Sequence, residues 1–481
     1  MRRGCLGFTL VCLLALAAPA GRGEALLAIV GATVIHPERA PLDAVAPEQT
    51  VVIAGERIHS IGPSSSTPVP QGARVIDAHR KWLVPGLVDA HVHFDQSGNL
   101  YARPDIADLT GWMPYAREQA RNRARLPATF RAWLASGVTG VVDTGGPMWT
   151  FQVREAARRA EAAPRVAVAG PLVSMIARPQ LDVGDPPIVQ VSTPQAAREL
   201  VARTLRERPD YIKVWFIHQA GDDLAQQEAI VKAAGDAAHA AGVALAVHAT
   251  ELAVAKAALR AGADYLVHSV EDAPVDEEFL ALARRRDILY CPTLFVYEGY
   301  GLALSNRWRA TPAELRLADP QILAMMGDLD LIPAQLLPGW MRRAMERGWS
   351  GWLPPHAAVN LRRVWDAGIR VVVGSDAGNI GTLHGPAVFR EMQRMVEAGL
   401  TPLETLRAAT TNGARAMHMQ DETGAIRPGA LADLVLVDAD PLESIAHLAR
   451  TAWVVKGGRA FRVDELLAPM TQSGAQAEPL H

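Results

Sequence analysis

Residues 83–94 read LVPGLVDAHVHF, from Leu83 to Phe94. The run is apolar and strand-like, and it carries His91 and His93 one residue apart. In a β-strand, residues i and i+2 face the same side. Two imidazoles therefore aim at one point, and imidazole is the commonest protein ligand for a transition metal. A His-x-His pair can also decorate a surface strand. Here Leu83, Val84, Leu87 and Val88 are too apolar for a free surface. The stretch reads as one half of a metal site.

Upstream of it, Leu26–Ile35, Val51–Ile53, Arg57–Ile61, Val75–Asp77 and Trp82–Leu83 are short apolar runs between Gly, Pro and Ser turns. That is an all-β signature. Downstream the pattern changes. Strand-like runs at Leu87–Phe94, Val138–Asp143, Arg165–Gly170, Tyr211–Phe216, Ala244–His248, Tyr265–Val270, Ile288–Leu294 and Arg370–Asp376 alternate with helical stretches. Among the helical stretches are Phe151–Ala162, Gln226–Ala241, Leu252–Ala261, Asp276–Arg286 and Ala357–Ala367. Alternation of this kind implies parallel pairing through crossovers, and eight such units fit an α/β (β/α)8 TIM barrel. An open doubly wound sheet would want a Gly-rich phosphate turn after its first strand, and none is present. Thr401-Pro402-Leu403-Glu404 is a helix-opening capping box. Short strands return over Gly424–Phe461, and the polar segment from Pro469 is expected to be a disordered tail. Two segments without a strand or helix pattern, 95–125 and 297–355, leave the C-terminal ends of strands one and seven. Barrel enzymes carry lids and substrate walls there.

The chain has 481 residues, 49% hydrophobic and 21% charged, with a formal charge of -3. A large core is affordable, and the absence of a basic block excludes nucleic acid as the expected partner. Residues 1–20 have the form of a secretory signal peptide: Arg2 and Arg3, an apolar run from Phe8 to Ala17, then Ala18-Pro19-Ala20. The expected location is periplasmic or secreted, with no membrane contact after cleavage. Of three cysteines, Cys5 and Cys12 leave with the signal, and Cys291 reads as a buried core thiol. The expected partner is a small-molecule substrate, and self-association into a homo-oligomer is left open.

Six polar residues fall at strand ends or inside apolar strands. Strand one carries His91 and His93, strand four Lys213, strand five His248, strand six His268 and strand eight Asp376. Each has an ordinary structural explanation, but in a barrel all would meet at one mouth. A protonated lysine cannot ligate a metal. A neutral buried amine can take up carbon dioxide, and the resulting carbamate has two oxygens able to bridge two ions. Lys213 is therefore expected to be N6-carboxylated. Two divalent ions are expected, with zinc favoured by the nitrogen and carboxylate donors.

The motifs VPGLVDAHVHF (84–94), YIKVW (211–215), AVHAT (246–250), LVHSV (266–270) and GSDAG (374–378) resemble those of the amidohydrolase superfamily. So do IRPGALADLVLVDADPLESI (426–445) and VVKGGR (454–459). The likeness is strongest to its imidazolonepropionase and prolidase-like (Xaa-Pro dipeptidase-like) branch. It implies a β-sandwich built from both chain ends, 25–84 and 423–468, flanking a barrel over 85–422, with 469–481 as the tail. It further implies that His91, His93 and Asp376 hold one ion and His248 and His268 a second, with Lys213 bridging. Asp376 would also be catalytic, as the proton shuttle. The implied activity is metal-dependent hydrolysis of a C–N bond, amide or dipeptide-like. Lactone or ester hydrolysis at the same site, or a catalytically inactive binding protein, are the alternatives. His384, in GTLHGPAV, and His218, after strand four, are the substrate-binding candidates. Glu391 resembles a structural helix position. The chain departs from the pattern in FIHQAGDD (216–223) and in the tryptophan-rich 297–355 segment, both regions that govern specificity. Arg103, Arg178 and Arg307 are the candidates for meeting a substrate carboxylate.

Overall fold

The computed structural model describes residues 25–348 and 354–474. The signal segment with Cys5 and Cys12, Trp349, Trp352 and residues 475–481 lie outside the described residues. Both chain ends enter one eight-stranded sheet. Its path runs Arg459–Arg462, Thr451–Lys456, Leu434–Val437, Trp82–Pro85, Leu26–Ile35, Val45–Ala54, Arg57–Pro63, with Arg74–Asp77 added beside Leu26–Ile35. The seam between the two ends is antiparallel, with Leu436 opposite Leu83. Leu83, Leu434, Leu436, Val34 and Val51 share one buried cluster, so burial of alternate residues fixes this register.

The remaining strands are parallel and carry helices between them, as in an α/β protein. Seven pair in the order Ile188–Gln190, Leu172–Ser174, Tyr211–Trp215, Ala244–His248, Tyr265–Val267, Leu289–Cys291, Arg370–Val371. Three more pair as Leu87–Val92, Val138–Asp143, Arg165–Val168. Backbone hydrogen bonds link these two sheets: Ala90 N–H to Val373 O at 2.8 Å, Asp376 N–H to His91 O at 2.9 Å and Asp210 N–H to Val168 O at 2.8 Å. The first and last parallel strands are thus neighbours. The strands Leu172–Ser174 and Ile188–Gln190 have no counterpart in the sequence reading, because three-residue strands carry too little periodicity.

Two expectations need correction. The segment from Pro469 begins inside a helix, Val463–Gly474. Val463, Leu466 and Met470 are all buried. Their i, i+3, i+7 spacing makes one apolar stripe, and tertiary packing outweighs the missing proline N–H. The patternless segments contain helices too. Tyr115–Ala124 lies in the first; Val296–Leu304, Pro312–Leu317, Pro320–Met325 and Gly339–Arg347 lie in the second. Thr311 and Glu314 form a capping box, and Asp319 caps the next helix with Pro320 at its start. Leu100, Tyr101, Trp308, Ile322, Met325 and Met341 bury one another in a core of their own.

Candidate metal centre

The strand ends bring the chemistry together. His91, His93, Lys213, His248, His268 and Asp376 all line one cavity. Within it, single donor atoms of His91, His93 and Asp376 lie within 4.8 Å of one another. His91 Nε2 and His93 Nε2 are 3.2 Å apart. Asp376 Oδ1 is 3.3 Å from the first and 3.1 Å from the second. The His248 and His268 rings are 4.4 Å apart, and His268 is 5.1 Å from His91, centroid to centroid. The local backbone is strained to achieve this. His268, Thr293 and Asp376 adopt φ of 73°, 45° and 56°, left-handed values that side chains avoid unless surrounding structure enforces them. Gly374 permits the approach of strand eight to strand one: a Cβ there would stand 2.7 Å from His91 Cβ.

Behind the cluster, His93 Nδ1 donates to the Gly145 carbonyl at 2.6 Å, and His268 Nδ1 lies 2.6 Å from Thr293 Oγ1. Such partners orient a ligating ring and leave Nε2 facing the site. Asp89, two residues before His91 on the same strand face, accepts from Ser375 N–H and Oγ. It thereby ties strand one to the residue before Asp376.

Burial pushes the pKa values of His91, His248 and His268 down, with Lys213 and the neighbouring histidines adding to the effect. Burial also pulls the Lys213 ammonium down to about 7. For Asp376 burial acts upward, yet the hydrogen bond and charge of His93 hold it below the usual carboxylate range. His93 is held up by the same contact, against its own burial. Lys213 Nζ and His91 Nδ1 are buried and have no hydrogen-bond partner. Four imidazoles, a carboxylate and an unpaired amine facing one cavity are the donor set a divalent ion requires, so the residues present fit a metal.

The other two site candidates fall elsewhere. His384 stacks on Phe94 at 5.6 Å and donates from Nε2 to Gln96 O at 2.8 Å, and burial pulls its pKa down to about 4. His218 Nδ1 binds Gln227 Oε1 at 2.8 Å. Neither lines the cavity. Glu391 accepts from the Leu294 and Phe295 N–H groups and fixes the start of the helical insertion. Cys291 is buried with a free thiol.

Several residues of the site escaped the sequence reading. Asn379 donates from Nδ2 to Asp376 Oδ1 at 2.7 Å. Its Oδ1 accepts from Arg103 Nη1 at 2.8 Å and from Tyr300 O–H. Tyr297 and Tyr300 line the cavity from the helical insertion, and Leu172, Leu181 and Ile188 from the short strands. Only Asn379 had a local signal, three residues past Asp376 in a tight turn.

The comparisons agree with this geometry. The chain is similar to the imidazolonepropionase of Acidiphilium cryptum (strain JF-5), 28% identical over 432 residues, 83% of this chain and 88% of that protein. It is 37% identical over 113 residues to that of Cutibacterium acnes (strain DSM 16379 / KPA171202), where the match spans only 22% of this chain and 27% of the relative. In fold it is similar to a crystal structure of a Xaa-Pro dipeptidase with bound methionine in the active site. The TM-score is 0.68 at 22% identity, covering 91% of this chain and 100% of that one. The sequence profile of the amidohydrolase family matches residues 82–285 and 353–459, and these two segments contain every one of the six strand-end residues: the chain belongs to the amidohydrolase family.

Proposed function

We propose that this protein is an exported, metal-dependent hydrolase of a C–N bond in a small amide or peptide-like substrate. The observation that carries the reading is Lys213, buried with an unpaired amine in a cavity that also receives four histidines and Asp376. Among the described residues no other group of three or more His, Cys, Asp or Glu side chains converges comparably. The eight parallel strand positions are read as a barrel whose C-terminal mouth is this cavity, in line with the hydrogen bonds between the first and last strands.

His91, His93 and Asp376 would hold one divalent ion, His248 and His268 a second, and Lys213, as its carbamate, both. Zinc suits the donor set best. Bound there, the ions would polarise the scissile carbonyl and lower the pKa of a water. Asp376, oriented by the Asn379 amide and favoured as a carboxylate by His93, accepts a proton from the attacking water. It then gives that proton to the leaving nitrogen as the C–O bond forms and the C–N bond breaks. Acid and amine are the products.

The test combines metal analysis, native mass and turnover. The expected protein holds two divalent ions per chain, carries the mass of a carbamate and loses amide hydrolysis on chelation. Metal binding without hydrolysis of any amide, or hydrolysis that survives removal of the metal, would count against the reading.

A further inference from the structure

Apart from the six donors, Gln96, Arg103 and Asn379, the cavity wall carries no side chain more polar than tyrosine. Leu172, Leu181, Ile188, Trp215 and Val296 supply it, with the tyrosines 297 and 300. One guanidinium reaches the cavity, that of Arg103, 13% exposed. Dipeptides and N-acyl amino acids bring a carboxylate, and a free arginine is the residue that would receive it. Arg103 is not free. Its Nε and Nη2 donate to the two oxygens of Asp105 at 2.8 Å and 2.7 Å. Its Nη1 donates to Asn379 Oδ1 at 2.8 Å and approaches the Tyr300 hydroxyl at 3.4 Å. Asp105 is 1% exposed, so its charge is not shared with water. Arg178 lies over Trp215 at 5.0 Å and 3.5 Å from Asp105, but it is a third exposed and does not line the cavity.

We infer that Asp105, by occupying Arg103, makes this cavity select substrates that are uncharged and apolar around the scissile bond and reject those carrying a carboxylate. The inference rests on the C–N hydrolysis proposed above. A substrate carboxylate would have to shed water against a wall whose one arginine is already paired, and burying an anion without a partner is costly. Arg103 instead holds Asn379 against Asp376.

Two matched pairs test this on the metal-loaded protein: N-benzoyl-L-leucine against N-benzoyl-isopentylamine, and N-acetyl-L-phenylalanine against N-acetyl-phenethylamine. Each neutral member is its partner with hydrogen in place of the carboxyl group. Calorimetric binding is measured separately from turnover. The neutral members are expected to bind at least about tenfold more tightly, and to be turned over more efficiently. Equal or tighter binding of the anionic members overturns the inference and leaves hydrolysis standing. Failure of both members to bind overturns it as well. Binding with the expected preference but without cleavage supports the wall's selectivity and counts against the hydrolytic reading. Asp105→Asn frees Arg103 and should raise affinity for the anionic members about tenfold. No gain in a folded variant overturns the role given to Asp105. Should the variant not fold, the wild-type affinities decide.

Discussion

The cavity has a floor and a roof, and they are built by opposite rules. The floor is strand ends: His91, His93, Lys213, His248, His268 and Asp376 are buried in one cluster or border it, with atoms left unpaired and backbone held in strained conformations. The roof is the helical insertion and the 95–125 segment; Asp95, Gln96 and Gln119 there also keep buried oxygens unpaired, but its other buried charges are matched. Glu118, fully buried, accepts from Ser97, Asn99 and Arg121. Arg125 makes a two-pronged bridge to Asp319, 194 positions away in sequence, and Tyr101 O–H donates to Asp328 at 2.7 Å. The floor stores unmet polar demand that a ligand can satisfy, whereas the roof commits Glu118, Arg125, Asp319 and Asp328 to its own stability. Substitutions in the floor should cost activity before stability, and those in the roof the reverse.

The sharpest way to break that contrast is Asp376→Asn. If Asp376 carries the proton as proposed, its loss lowers kcat by about 10²–10⁴-fold, with far-ultraviolet circular dichroism and expression unchanged. Steady-state kinetics on metal-loaded protein decide it. Turnover near that of the wild type would remove Asp376 from the chemistry and leave the floor without its proton carrier.

Glu271 stands where the two regions meet, hydrogen-bonded to Tyr297 of the roof. Burial raises its folded-state pKa from 4.5 to about 8, against the pull of that hydroxyl. The folded chain therefore binds more protons than the unfolded chain between these values, and stability falls as pH rises through the interval. Glu271→Gln should match the wild type near pH 4 and exceed it increasingly toward pH 8, by on the order of 4 kcal/mol at the alkaline end. Denaturant melts at several pH values read the gap. A gap constant with pH would show that Glu271 is already ionised in the fold.

In the roof, Asp319→Ala leaves Arg125 with Gln321 as its remaining side-chain partner and uncaps the helix Pro320–Met325. Breaking a largely buried pair by removing one member costs about 3 kcal/mol, and protease nicking within 297–347 should rise with it. Affinity for divalent metal is expected to stay at the wild-type level. A lowered metal affinity would mean that the roof shapes the floor and that the two regions are not separable.

The same contrast explains what could be read from sequence. Each floor residue sits on or just beyond a strand of apolar residues, where one polar side chain stands out locally: YIKVW needs nothing beyond itself to mark Lys213. The paired ends of the flanking sheet were legible for a related reason, since Leu26–Ile35 and Leu434–Val437 are each a short apolar run set off by turn residues. The roof has no such signal. Its helices Pro312–Leu317 and Pro320–Met325 are six residues each, too short for a hydrophobic stripe to declare itself. They exist because Trp308, Ile322 and Met325 meet Tyr101 and Leu109 across some 200 residues. Asn379 likewise meets Arg103 only in space, 276 positions away.

Lys213→Met tests the floor from the side of stability. An amine buried without a hydrogen-bond partner costs about 1–3 kcal/mol, and methionine fills a similar volume with no polar atom to satisfy. The metal-free variant should therefore be more stable than the metal-free wild type, by about 1–3 kcal/mol, although its side chain is among the largest fully buried ones in the molecule. With metal the order should reverse, because binding stabilises only the protein that can hold the ion. Paired melts with and without divalent ion, alongside metal analysis of the variant, read both signs. If the metal-free variant is instead the weaker one, Lys213 has a partner that stabilises the fold. The floor would then be built by the same rule as the roof.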